Sequence, residues 1–146
     1  MNTSKRPPAL TIVPYFERAT HAVSLYLQGQ ADLTCNQAEA NVLAFLFGKE
    51  QASLSDVHAS FGHRRSTLTS ILDRLEERKL VRRKRDPTDG RALILSLTAA
   101  GARHAGAAVR HLQKLESTIA KRVSNGDLQS FVKVADVLVQ AAKLND

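Results

Sequence analysis

Within seven residues, Arg64, Arg65, Ser66, Thr67, Thr69 and Ser70 interleave guanidinium and hydroxyl groups. Arginine can bridge the O6 and N7 atoms of guanine or hold a phosphate, and hydroxyls reach phosphates or base edges. The grouping therefore points to contact with duplex nucleic acid. Arg74, Arg83, Arg85 and the pair Asp89 and Arg91 follow, and residues 64–91 together hold ten Lys/Arg against five Asp/Glu. These 28 residues carry +5 of the formal +7 of the 146-residue chain. A net positive charge alone would suit a membrane surface or plain solubility equally well. Its concentration in one stretch is what selects a nucleic-acid partner.

Other chemistry is poorly supplied. No Gly-rich phosphate loop, nucleophile elbow or metal-hydrolase spacing occurs, so neither a catalytic residue nor a cofactor is expected. His21, His58, His63, His104 and His111 are scattered, and Cys35 is the single cysteine. Zinc needs three or four converging ligands, so no metal site is expected, and one cysteine excludes an intrachain disulfide. Lys5-Arg6 runs into Pro7-Pro8 rather than an apolar core, and the longest apolar run is the six residues 42–47. This reading expects no export signal, no membrane span and a cytoplasmic location.

The elements that must position these groups are legible from spacing. Ser53 can cap a short helix with Asp56 at its third position, and Gly62 can end it in a left-handed conformation. After a turn, Leu68, Ile71, Leu72 and Leu75 recur at helical spacing, leaving Ser66, Ser70, Asp73 and Glu77 on the opposite face. Residues 80–85 and 91–97 then read as two strands, with Leu93, Leu95 and Leu97 alternating inward. Between them, Asp86-Pro87 suits a type I turn, and Gly90 is expected to supply a positive φ at the tip. Arg82, Arg83, Lys84 and Arg85 alternate faces, so two of the four are expected to track a phosphate backbone.

The flanking segments read as helices with another task. Pro14 fits the first turn of a helix bearing Phe16, Ala19, Val23, Tyr26 and Leu27 on one side, with residues 1–9 as a polar, mobile arm. Thr34 and Gln37 fit a capping box for a buried helix through residues 42–47. Thr98 can cap a long helix to about residue 123 that carries Ala105, Val109, Leu112, Ile119 and Val123. Ser124 with Asp127 can cap a last helix that carries Leu128, Phe131, Val132, Ala135, Leu138 and Ala142. Apolar stripes on helices at both ends of the chain predict a two-fold homodimer, with Phe16, Val23, Val109, Leu112, Phe131 and Leu138 at its interface. A monomeric bundle closed by the same stripes is the alternative.

Ser66-Thr67-Leu68-Thr69, Leu72-Asp73-Arg74-Leu75-Glu76, Leu80-Val81-Arg82-Arg83, the Asp86-Pro87-Thr88-Asp89-Gly90-Arg91 tip and Leu97-Thr98-Ala99-Ala100-Gly101 together resemble the MarR family of bacterial transcriptional regulators. The resemblance covers roughly residues 10–143 and is sharpest over 53–101. It implies a mainly α fold with a small β wing, a single domain over 1–146. Within it, residues 33–97 would form a winged helix-turn-helix, and 10–32 and 98–146 dimerisation helices. It also implies a homodimeric repressor on a pseudo-palindromic double-stranded operator. Arg64, Arg65, Ser66, Thr67, Thr69, Ser70 and Arg74 would lie on the reading helix. Arg83 and Arg85 would lie along the wing, and Arg91 would enter the minor groove, held by Asp89. Relatives commonly take small, often aromatic or anionic, effectors between the dimer helices and the DNA module, but no motif here names the compound or the residues that would hold it. Two departures stand out: Arg64 occupies the position of an N-cap Ser or Thr, and His63 that of an aliphatic residue.

Two other functions fit parts of the sequence. One is a winged-helix module for acidic proteins or for nucleic acid in general. The other is a redox sensor using Cys35, placed by the reading at a helix's first turn, where the dipole would lower a thiol pKa.

Overall fold

A computed structural model of the chain describes residues 9–143; the arm read over 1–9 lies almost wholly outside them. The chain divides into two compact units, residues 1–109 and 110–146. The described residues contain six helices: α1 (Val13–Gln28), α2 (Gln37–Leu46), α3 (Leu54–Phe61), α4 (Arg65–Glu77), α5 (Ala99–Ala120) and α6 (Asn125–Lys143). Three strands, β1 (Ala52–Ser53), β2 (Val81–Arg85) and β3 (Leu93–Leu97), complete the elements of the described residues.

In the first unit the apolar stripes meet. Leu27 of α1, Val42, Leu43 and Leu46 of α2, Val57 of α3, and Leu68, Ile71, Leu72 and Leu75 of α4 are at most 2% exposed, with Val81 and Leu95 of the sheet among them. Each large apolar side chain so buried contributes roughly 1.5–3 kcal/mol. The sheet is antiparallel in the order β1-β3-β2, with Ala52 opposite Leu95 and Arg83 opposite the same residue on the other side. β1 is absent from the sequence reading, because two residues are too few to show an alternation.

Three local expectations need correction. The box that opens α2 is Asn36 with Glu39, not Thr34 with Gln37. Asn36 Oδ1 accepts from the Glu39 amide at 2.9 Å, and Glu39 Oε2 accepts from the Asn36 amide at 3.2 Å. A carboxylate at the third helical position outcompetes Gln37, and the Thr34 hydroxyl is taken by Arg78. At the wing tip the residues with positive φ do not include Gly90; among the described residues they are Gly48, Gly62 and Lys79. Side chains shape the tip instead: Asp86 Oδ1 accepts from the amide and hydroxyl of Thr88, at 2.8 and 2.7 Å. Finally, α5 stops at Ala120, about 33 Å long at 1.5 Å per residue. The Arg122 amide tightens the end by bonding to Ile119 O at 2.8 Å, and Ser124 and Asp127 cap the next helix reciprocally.

The end of α4 explains the Leu-Thr-x-x-Gly run. Lys79 takes a left-handed φ of 57°, its amide bonds Glu76 O, and the Leu80 amide bonds Leu75 O at 2.9 Å, a Schellman closure. Thr98 is sewn onto that turn: its amide donates to Leu80 O at 3.0 Å and its hydroxyl to Lys79 O at 2.7 Å. The same hydroxyl accepts from the Gly101 amide at 2.9 Å. A Cβ on Gly101 would lie 1.8 Å from the Leu80 carbonyl oxygen, so only glycine allows α5 to start there.

The second unit contains the end of α5 and all of α6. No residue of α6 is buried. Phe131, Val132, Val134, Val137 and Val139 are between 40% and 57% exposed.

Candidate nucleic-acid interface

α3 and α4 are joined by residues 62–64. Ser53 Oγ caps α3 by accepting from the Asp56 amide at 3.0 Å, and Gly62 ends it with a φ of 63°. Arg64 precedes α4 without any side-chain cap. The first amides of α4 therefore keep their partial positive charge for an outside acceptor, as a phosphate-facing helix requires. Arg64, Arg65, Ser66, Thr67, Thr69 and Ser70 are all exposed, while the four apolar residues of the same helix are buried. Ser70 Oγ donates back to Ser66 O at 3.0 Å and keeps its lone pairs for another donor.

The wing meets this helix across a cleft of about 420 Å³ lined by Leu54, Ser55 and His58 of α3, Arg65, Leu68 and Thr69 of α4, and Arg91 and Leu93. Arg65 and Arg91, 26 positions apart in the chain, thus line one concave surface. Asp89 shapes the approach in a way the sequence did not anticipate. Its Oδ1 accepts from the Arg91 amide at 3.1 Å, so the carboxylate fixes the backbone at Arg91 rather than its guanidinium. Hydrogen bonds from Thr88 hold the Asp86 carboxyl below its ordinary range, which keeps the tip charged.

Three of the proposed contact arginines have partners within the protein. Arg83 donates from Nη2 to Asp73 Oδ1 at 2.6 Å and from Nε to Glu76 Oε2 at 3.0 Å, joining β2 to α4. These bonds lower the Glu76 carboxyl and raise Arg83. Arg85 Nη1 donates to Gly90 O at 3.1 Å and braces the hairpin. Arg74 Nε donates to Glu39 Oε1 at 2.9 Å, and Arg78 donates to Glu39 Oε2 at 3.3 Å and to Thr34 Oγ1 at 2.9 Å. Glu39 is only 5% exposed. Sequence reasoning missed Glu39, Arg78, Asp73 and Glu76 as organisers. The acids at 73 and 76 lie three apart on the helix and could have signalled a shared cation; a partner 35 residues away could not.

Cys35 lies just before the Asn36 cap rather than in the first turn of α2, and is 5% exposed. Burial, and secondarily the Glu39 charge, push its thiol above the ordinary range. That is the opposite of the lowering the redox reading requires. Of the residues expected at a dimer interface, Phe16, Val23, Val109, Leu112 and Leu138 are half-buried and Phe131 is exposed. Among the described residues no group of three His, Cys, Asp or Glu could hold a metal ion.

A sequence profile of the MarR family matches residues 32–92, from before α2 to the far side of the wing tip. The "Transcriptional regulator HosA" of Escherichia coli O111:H- is 32% identical over 111 residues, which are 75% of this chain and 80% of that protein. MepR of S. aureus, in its DNA complex, superposes with a TM-score of 0.76 at 18% identity, over 91% of this chain and 99% of its own. PcaV of Streptomyces coelicolor, in complex with its natural ligand, gives 0.75 at 22% identity, over 92% and 99%. At such identities the two structures speak for the fold.

Proposed function

The chain belongs to the MarR family of DNA-binding transcriptional regulators, which are not enzymes, and from that premise we propose that it is a homodimeric repressor of a pseudo-palindromic operator, released by a small-molecule effector. The observation that carries this reading is the cleft shared by Arg65 and Thr69 of α4 and Arg91 of the wing. α4 offers its exposed first two turns, with Arg64, Arg65, Ser66, Thr67, Thr69 and Ser70, to the major groove. Arg91, its backbone set by Asp89, enters the adjacent minor groove, where a guanidinium suits the negative potential of A/T-rich sequence. Arg83 and Arg85 act through bracing the wing, and their neighbours Arg82 and Lys84, both exposed, meet phosphates. This reading keeps residues 33–97 as the DNA module and 10–32 and 98–146 as dimerisation helices, and places the protein in the cytoplasm with its DNA.

The dimer is supported by α6, where Phe131, Val132, Val134, Val137 and Val139 are 40% to 57% exposed in the single chain. A large uncovered apolar surface marks a contact site, and a second copy supplies a matching face by symmetry. Phe16, Val23, Val109, Leu112, Phe131 and Leu138 are its proposed members. Effector release is supported by PcaV, crystallised with its natural ligand. The rival redox reading loses its support with the burial of Cys35.

Titration of the protein against palindromes from its own promoter and against random duplex tests the proposal. With some 6 to 10 phosphates contacted, affinity should fall by about three to five orders of magnitude between 50 and 200 mM salt. Equal affinity for palindrome and random duplex would make it a general nucleic-acid binder instead.

A further inference from the structure

The buried Glu39 carboxylate holds Arg74 in a manner that leaves the arginine incomplete. Only Nε is bonded to Glu39, at 2.9 Å, and the Arg74 side chain remains 49% exposed. Guanidinium is a planar fork with five donors, and one edge fixed on a carboxylate leaves the terminal amino groups aimed by that bond. Along α4, Arg74 lies four residues beyond Ser70 and seven beyond Thr67, so all three share the flank of the helix turned toward α2. Both hydroxyl residues are exposed. Glu39 is itself fixed by the Asn36 amide and by Arg78, which is tied in turn to Thr34. The carboxylate is therefore an anchored post rather than a mobile counter-ion.

We propose that Glu39 is a positioning residue for DNA binding: through Nε it presets the Arg74 guanidinium so that its terminal nitrogens take a backbone phosphate beside the helix. The inference rests on the DNA-reading role of α4 proposed above, and adds a residue of another helix to it. A buried acid next to a DNA-binding surface would ordinarily oppose binding by adding negative charge. A preset arginine reverses that sign, because the side chain reaches the phosphate already ordered.

Glu39→Gln separates the two. A glutamine keeps the shape but turns a donor toward one of the two arginines, so Arg74 loses its fixed pose. In the full-length protein the slope of log affinity against log salt should become shallower by about 0.9 per protomer, and binding near 100 mM salt should weaken roughly tenfold to a hundredfold for the dimer. Arg74→Gln, which changes a half-exposed side chain and leaves Arg78 on Glu39, should give the same loss of slope. The double variant should lose no more than either single one. Glu39→Gln binding as tightly as wild type or tighter, with an unchanged or steeper slope, would show that Glu39 merely neutralises cations and would overturn the proposal. If Glu39→Gln does not fold, a wild-type slope for Arg74→Gln overturns it as well. Random-sequence duplex, on which the phosphate term acts without an operator, is measured in parallel. A wild type lacking operator preference then counts against the repressor reading and leaves the slope comparison intact.

Discussion

Arg83 of the wing and Asp73 of α4 stand 2.6 Å apart, and Glu76 one turn further on holds the other edge of the same guanidinium at 3.0 Å. The angle between wing and helix is thus set by one arginine shared between two acids that would otherwise repel. An exposed ion pair adds about 0.2–1 kcal/mol, and Arg83→Ala should cost about 1 kcal/mol, since both acids lose their partner. The pH dependence follows from Glu76, whose folded pKa is lowered chiefly by its hydrogen bond to Arg83. A lowered carboxylate stabilises the fold fully above its unfolded value, about 4.3, and the gain vanishes as pH falls through the folded value. Thermal melts should show a constant gap between wild type and Arg83→Ala near pH 7 and a closing gap below about pH 4. A gap independent of pH would assign the loss to packing of the arginine stem.

Gly101 meets the Leu80 carbonyl so closely that an added methyl would sit 1.8 Å from the oxygen. Gly101→Ala must push α5 away from the turn or break the Thr98 bonds, and overpacking of this kind costs about 1–3 kcal/mol. Gly126→Ala is the matched control, since its Cβ would meet only Ser124 Oγ at 3.6 Å and helical alanine is the better residue. Urea unfolding should show a clear loss for the first variant and none for the second.

The wing and the α3–α4 pair were legible because their signals are local: Ser53 and Asp56, Gly62, the Leu68 to Leu75 spacing and the Leu93 to Leu97 alternation each occupy a few consecutive turns or strand residues. The Asn36 box was misplaced by two residues because Thr34 with Gln37 satisfies the same spacing; the Glu39 carboxylate at the third helical position and the Arg78 bond to Thr34 decide between them. Arg74 and Arg83 read as DNA contacts with no partner inside the protein, because a sequence shows a cation but not the acid opposite it. Glu39 lies 35 positions from Arg74, and no periodicity connects them.

Cys35 yields a prediction opposite to the redox reading. Its thiol is buried and its pKa raised, first by burial and then by Glu39, so little thiolate exists at neutral pH. Alkylation by iodoacetamide should be slow in the folded protein and fast in urea, and peroxide should leave DNA affinity unchanged. Rapid alkylation of the folded protein with loss of binding would restore the sensor reading.

Phe131 is 57% exposed in the single chain, so Phe131→Asp should leave the fold of the protomer intact. Within a dimer interface the same carboxylate would be buried without a partner, a costly change. Sedimentation should show the variant as monomer at concentrations where wild type is dimeric, with operator binding lost in parallel. An unchanged dimer would remove α6 from the interface.

Arg65 and Arg91 line one cleft but serve different grooves in the proposed complex, and their alanine variants should fail differently. Arg91→Ala should lose about 1–3 kcal/mol of operator binding with melting nearly unchanged, because the side chain is exposed and the Asp89 bond runs to its amide, which alanine retains. The selectivity lost should be for A/T-rich flanks, where groove width is read. Arg65→Ala should relax preference within the half-site if it bridges a guanine, and weaken all sequences alike if it holds phosphate. An operator library measured with both proteins separates these outcomes. Wild-type affinity and flank preference in Arg91→Ala would reduce the Asp89 to Arg91 tip to a structural turn and leave α4 alone as the reading surface.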